Sequence, residues 1–362
     1  MNNTLENLKE DKIFYLLIGG MINIGILSLP NTMILTAKQD GWLSTIIGIV
    51  YPLYIVFVAN FLKKVSPNEN IFCLSKKYFG KYVGSVFNLL FGSLYFVSII
   101  SSGAAIIYFI YYNMSSYKTN KVVISLILII GALAAHMGIK VLVKLCEISF
   151  FIGILISLLS INVLKYGSIL NLMPIGDMGL TKIIKASTAG IYSYAGAEII
   201  LFMHPLFEDR KKLIKNALIS IVIICLTYVM IVFTTTYYLG DEIIKKTLWS
   251  AEYLVDSLRF PIFNNLRLVV FGFWIFVVLK AIGVYYYVLN ILLVDTFGSR
   301  KIKEYYLIIY VPAAILAFLI KNEISRRYMM ENITKYVVVY NLIYVTLLLI
   351  IAFFKKGEIY EK

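Results

Sequence analysis

The chain has 362 residues, 60% of them hydrophobic and only 15% charged, with a formal net charge of +14. A soluble domain carries about a quarter charged residues, so this composition, with a mean hydropathy of +0.84, excludes an ordinary globular protein and points to a polytopic protein of the lipid bilayer. The basic residues are scattered between apolar runs, which argues against nucleic acid as a partner and for lysines that set orientation in short loops.

Residues 1–12 are polar and mixed in charge, and are expected to form a short cytoplasmic tail with no cleavable signal. Ile13–Thr36 follows as 24 residues without a charge, enough for a bilayer that needs about 20. Its middle is poor helix material. Gly19, Gly20 and Gly25 weaken a helix interior, Pro30 removes an amide, and Asn23 puts a polar side chain at membrane depth. The second span is predicted at Gly41–Leu62, after a turn at Lys38–Trp42. Ile71–Val83 has apolar residues at helical spacing but too much charge to cross, so it should lie along the surface.

Further spans are predicted at Gly84–Tyr112, Lys121–Met137, Val143–Leu164, Ile183–Phe202, Ala217–Leu239, Leu266–Leu293, Tyr305–Ile320 and Ile333–Phe354. Outside loops are expected at Lys165–Thr181 and Gly240–Asn265. The sixth span is interrupted at Tyr194-Ala195-Gly196-Ala197-Glu198. Lys63-Lys64, Arg210-Lys211-Lys212 and Lys215 set both termini on the cytoplasmic side. The expected organisation is a single transmembrane domain, 1–362, with ten helices. A first five-helix block, 13–164, is followed by an inverted block, 183–354, and a tail, 355–362. Because five is odd, the two broken spans open blocks that run in opposite directions. Such paired discontinuous helices are the best sequence pointer to a binding site at the bilayer midplane.

Candidate residues follow from that geometry. An unwound segment at Asn23, Gly25, Ile26 and Leu27 offers free amides to a carboxylate and free carbonyls to a cation. A kink serving packing alone is the alternative. In span six, Tyr194, Gly196 and Glu198 fall within five residues. Glu198 is an ionisable group in an apolar run, suited to a ligand amine, a proton or structural bonds to the broken helix. Lys280, the second intramembrane charge, lies midway along span eight, too deep to reach water easily. It needs a partner, with Glu198 and the carbonyls of span one as the candidates; in the latter place it would stand in for a sodium ion. Tyr95, Ser98 and Tyr285 could add hydroxyls to a pocket. His136 and His204 sit at span ends and read as interfacial. No nucleophile–base pair, metal cluster or cofactor motif is present, so neither an enzyme nor a cofactor is expected.

Several short motifs recur together in a known order: Gly25-Ile26-Leu27-Ser28-Leu29-Pro30, Asp40-Gly41-Trp42, Asn171-Leu172-Met173-Pro174 with Gly176, and Gly196-Ala197-Glu198 leading to Leu201-Phe202. In this the chain resembles the B subunits of spore nutrient-germinant receptors, within the amino acid–polyamine–organocation superfamily. The resemblance covers nearly the whole chain. It implies an all-α, LeuT-like 5+5 inverted repeat in the spore inner membrane and a small germinant, usually an amino acid. It also implies A and C subunits as partners. By position, Gly25–Leu27 and Ala195-Gly196 match the broken segments, and Ala281 and Tyr285 match pocket positions on span eight. The chain departs from the family at Asn23, where a glycine is usual, at Trp249-Ser250 and at Asn264–Arg267. Competing expectations are a secondary amino acid or amine transporter coupled to protons or sodium, and a ligand-free assembly scaffold of the receptor.

Overall fold

A computed structural model describes residues 8–113, 121–256, 266–298 and 305–360. Asn264 and Asn265 lie outside them. The described residues are mainly helical, and six runs are long and apolar enough to cross a membrane, with shorter apolar helices at Lys12–Met21, Lys121–His136 and Tyr305–Leu319. The protein is a multi-pass membrane protein.

The first span is broken at Asn23 and Gly25, as expected. Helix α1 (Lys12–Met21) stops where Ile22 turns extended, and Asn23 caps a tight 3-10 turn, Ile24–Ser28, by accepting the Ile24 amide at 2.7 Å. Helix α2 (Leu29–Ala37) follows. Pro30 does not break it, contrary to the expectation above: it sits in the first turn, where its missing amide would have had no partner. Gly19 and Gly20 are likewise inside α1. A Cβ at Gly19 would strike Cys146, and one at Gly20 would strike Ile199, so these glycines serve close helix approach.

Lys38 (φ 45°) turns the chain into α3 (Gly41–Gly48) and α4 (Val50–Val65). The surface helix expected at Ile71–Val83 is α5 (Ile71–Phe79), ended by Gly80 at φ 83°. Then come α6 (Lys81–Asn113), α7 (Lys121–His136) and α8 (Ile139–Ser160). The second broken span is α9 (Gly179–Ala189), a 3-10 turn at Ile191–Tyr194, and α10 (Ile199–Met203). Helix α11 (Arg210–Lys245) is kinked at Gly240; α12 (Ser250–Asp256), α13 (Leu266–Phe297) and α14 (Tyr305–Leu319) precede α15 (Glu323–Tyr360). Helix α15 begins ten residues before the expected Ile333, because Glu323 pairs with Arg326 and Arg327 along its first turns.

Two of the recurring motifs prove to be partners. The Asp40 carboxylate, fully buried, accepts the amides of Gly176 at 2.8 Å and Met178 at 3.1 Å, while Gln39 donates to Pro174 O. Asn171 donates to Tyr237 O at 2.9 Å, which fixes the same loop to α11. At the opposite end of the bundle the N-terminal tail is docked from its first described residue: Leu8 donates its amide to Leu206 O at 3.1 Å. His204, expected at an interface, is fully buried there.

Candidate functional site

The two breaks meet in the middle of the bundle. Ala195 is extended and Gly196 has φ 110°, a conformation that a side chain disfavours. A Cβ on Gly196 would lie 2.6 Å from Gly20 O, so only glycine lets the second break press against the end of α1.

A helix leaves its last four carbonyls unpaired. At the end of α1 three of the four have a side-chain donor of their own and the fourth shares one. Lys280, from the middle of α13, donates to Gly19 O at 2.6 Å and Ile22 O at 3.0 Å. The Tyr285 hydroxyl donates to Gly20 O at 2.7 Å. Tyr228 on α11 has its hydroxyl 3.0 Å from Met21 O and 2.8 Å from Ser193 O, bridging the first break to the second. The ammonium therefore sits where the backbone carries its negative partial charge.

Glu198 is not the partner of Lys280. The Tyr51 hydroxyl donates to one of its carboxyl oxygens, and the Gly196 amide donates to the other at 2.7 Å. The carboxyl thus holds its own broken turn in place from a fully buried position.

A cavity of about 60 Å³ opens between the breaks. Of the residues expected there, Asn23, Gly25, Ile26, Tyr95, Ser98, Ala195, Gly196 and Tyr285 line it. Three others do not. Tyr194 turns away, donating to Thr45 O at 2.8 Å and packing on Tyr228. Ala281 is fully buried in the packing of α13, and Leu27 faces an apolar crevice on the far side of the turn. Asn23 donates to Ser102 at 2.7 Å. The Tyr95 hydroxyl is buried at the cavity wall with no hydrogen-bond partner among the described residues.

The sequence reading missed other parts of the wall, among them Ser101, Ser102, Tyr192, Arg326, Arg327 and Glu331. Arg326 donates to both Glu323 oxygens at 2.6 Å and to Ser101 at 2.7 Å, and Arg327 donates to Glu323 and to Leu248 O. These bonds fix both arginines at the cavity wall. The available signal was Glu323 three and four residues before two arginines, a spacing that pairs charges on one helix face.

Residues 7–327 match the family model described as "Spore germination protein". The chain belongs to the spore germination protein family. Similar members are spore germination protein GerQB of Bacillus cereus, 20% identical over 75% of each chain, and YndE of Bacillus subtilis (strain 168), 21% identical over 95% of this chain and 96% of that one. Spore germination protein A2 of Bacillus subtilis (strain 168) is 25% identical over 66% of each. Two solved transporters share the fold. Mhp1, a nucleobase-cation-symport-1 family transporter in a closed conformation with bromovinylhydantoin bound, superposes with a TM-score of 0.64, 11% identity, and coverage of 87% of this chain and 72% of its own. MhsT in complex with L-phenylalanine gives 0.64, 13%, 93% and 87%. The family member described here is thus an all-α membrane protein of LeuT-like architecture with a germinant-receptor or permease-like role.

Proposed function

We propose that this spore germination protein is the nutrient-sensing B subunit of a germinant receptor. It binds a small germinant, an amino acid, between its two interrupted helices and signals to A and C subunits in the spore inner membrane, with both termini cytoplasmic. The observation that carries the reading is the cavity at the meeting of the two breaks, with serine, tyrosine, asparagine and arginine side chains in its lining. It has an unpartnered Tyr95 hydroxyl and the N-terminal turn of the second half of span one on its wall. That half-helix end carries partial positive charge and suits a carboxylate.

At about 60 Å³ the cavity is far smaller than a typical ligand pocket of roughly 300 Å³ or more. A germinant would therefore have to widen it, and a ligand that binds the widened state better shifts the equilibrium toward it. Lys280 takes the place of a coupling sodium, so binding is independent of sodium. The competing reading is transport, which the likeness to two transporters favours. The test is a screen of single amino acids against spores lacking the gene, paired with thermal unfolding of the purified protein and flux into proteoliposomes. Loss of response to one amino acid that also stabilises the protein, without flux, is the expected result. Ligand-driven flux would replace sensing by transport. No response and no stabilisation by any amino acid would leave the scaffold reading.

A further inference from the structure

A second cavity, of about 270 Å³, lies behind the first and is more than four times its 60 Å³. It is bounded by α1, α8, α11, α12 and α13, and by Ile26 and Leu27 of the 3-10 turn. Ile26 lines both spaces, so this one turn is the partition between the candidate germinant cavity and an apolar one.

The lining is almost wholly aliphatic and aromatic. Thr227, one of its few polar residues, donates its hydroxyl to Ile223 O of its own helix at 2.8 Å. A buried water needs two to four polar partners, and the wall's polar side chains are few beside its aliphatic and aromatic ones: Ser149, Ser157, Thr227 and the Trp274 indole. The space therefore favours an apolar occupant. It also has a way in: the lining residues Ile154, Leu158 and Leu226 are 39%, 56% and 63% exposed. They belong to the apolar flanks of α8 and α11, which continue outward through exposed Phe151, Leu155 and Val222. In a chain that crosses a bilayer, that flank faces hydrocarbon. The crevice is continuous with the lipid-facing surface and ends deep inside, at Ile18 (3% exposed) and Val277 (1% exposed).

We propose that the crevice between α1, α8, α11 and α13 is a binding site for a single acyl chain of a membrane lipid, whose end packs against Ile26 and Leu27 behind the candidate germinant cavity. The acyl chain replaces dispersion contacts that an empty apolar space would forfeit. It also supports a wall of the site that has no regular α-helical bonding.

The test uses the full-length protein in nanodiscs of phosphatidylcholine carrying a photoactivatable diazirine midway along one acyl chain, with adducts mapped by peptide mass spectrometry. Adducts on Ile18 or Val277 are expected, because lipid at the outer surface cannot touch either residue. Gly153→Leu fills the crevice: Gly153 lines it, and the atom nearest to an added Cβ is Phe273 Cζ at 3.8 Å. Adducts on the two deep residues should then fall to background while those on exposed Leu155 persist. Adducts confined to Leu155 and other exposed positions in the unmodified protein would overturn the proposal. So would deep adducts unchanged by Gly153→Leu. The wild-type map is decisive by itself if the variant does not fold.

Discussion

The two sides of the first break are treated in opposite ways. On the α1 side, all four terminal carbonyls are occupied by Lys280, Tyr285 and Tyr228, each delivered by another helix. On the other side, Asn23 caps the 3-10 turn locally, and Asn23, Ile24 and Gly25 line the cavity. The protein meets the end that attracts cations with its own ammonium and turns the end that attracts anions toward the cavity. A discontinuous helix thus need not be equally available at its two ends. Which end is available depends on the residues that neighbouring helices bring to it.

The largest effect that would break this comparison is at Gly196, which lets the two breaks touch. Gly196→Ala adds a Cβ 2.6 Å from Gly20 O at a backbone angle of +110°. It should cost on the order of 3 kcal/mol, from left-handed strain and overpacking together, read as a lowered thermal midpoint and reduced abundance in the membrane. Unchanged stability would mean that the contact is not tight. Next is Lys280→Met, which leaves Gly19 O and Ile22 O without a donor and should cost about 2–4 kcal/mol. A sharper version is Lys280→Ala: its thermal midpoint should rise with sodium concentration, whereas that of the unmodified protein should not. Absence of any sodium effect would show that the ammonium does more than fill a cation site.

Tyr51→Phe removes one of the donors to Glu198 and should cost about 1–2 kcal/mol in unfolding experiments, leaving the α1 side untouched. Tyr95→Phe deletes a hydroxyl that has no partner and should leave stability nearly unchanged. Germinant affinity should nonetheless fall by about tenfold, equivalent to ~1.4 kcal/mol. An equal loss of both would make Tyr95 a packing residue. The smallest effect belongs to Gly25→Ala. The nearest atom to its Cβ is Tyr192 Cε2 at 3.5 Å, so stability should hold or rise by about 0.5 kcal/mol. Gly25→Leu, by contrast, should abolish the germination response.

Much of this was legible in the chain because its signals are local. Glycines with Asn23 mark the first break, and Tyr194–Glu198 mark the second. Lys280 stands out because an ammonium at that depth must find a partner. Direction was harder to read. Leu27 and Tyr194 belong to the broken segments, yet one looks into the apolar crevice and the other into α3, since short 3-10 turns do not keep a helical face. Ala281 is next to Lys280 in sequence but a hundred degrees round the helix. The arginines of α15 were missed because apolar counting starts a span where hydrophobic residues begin to dominate, whereas a helix can begin earlier on an ion-paired face.

Asp40 touches no part of the cavity, yet it clasps the corner after α2 to the loop that leads into α9. A genetic screen scored only by failure to germinate would place Asp40 among the residues that recognise nutrient. Its lesion would instead be architectural, since losing that carboxylate removes one of the clasps between the two halves of the molecule. Separating the two kinds of mutant requires counting the protein in the membrane before counting the spores that wake.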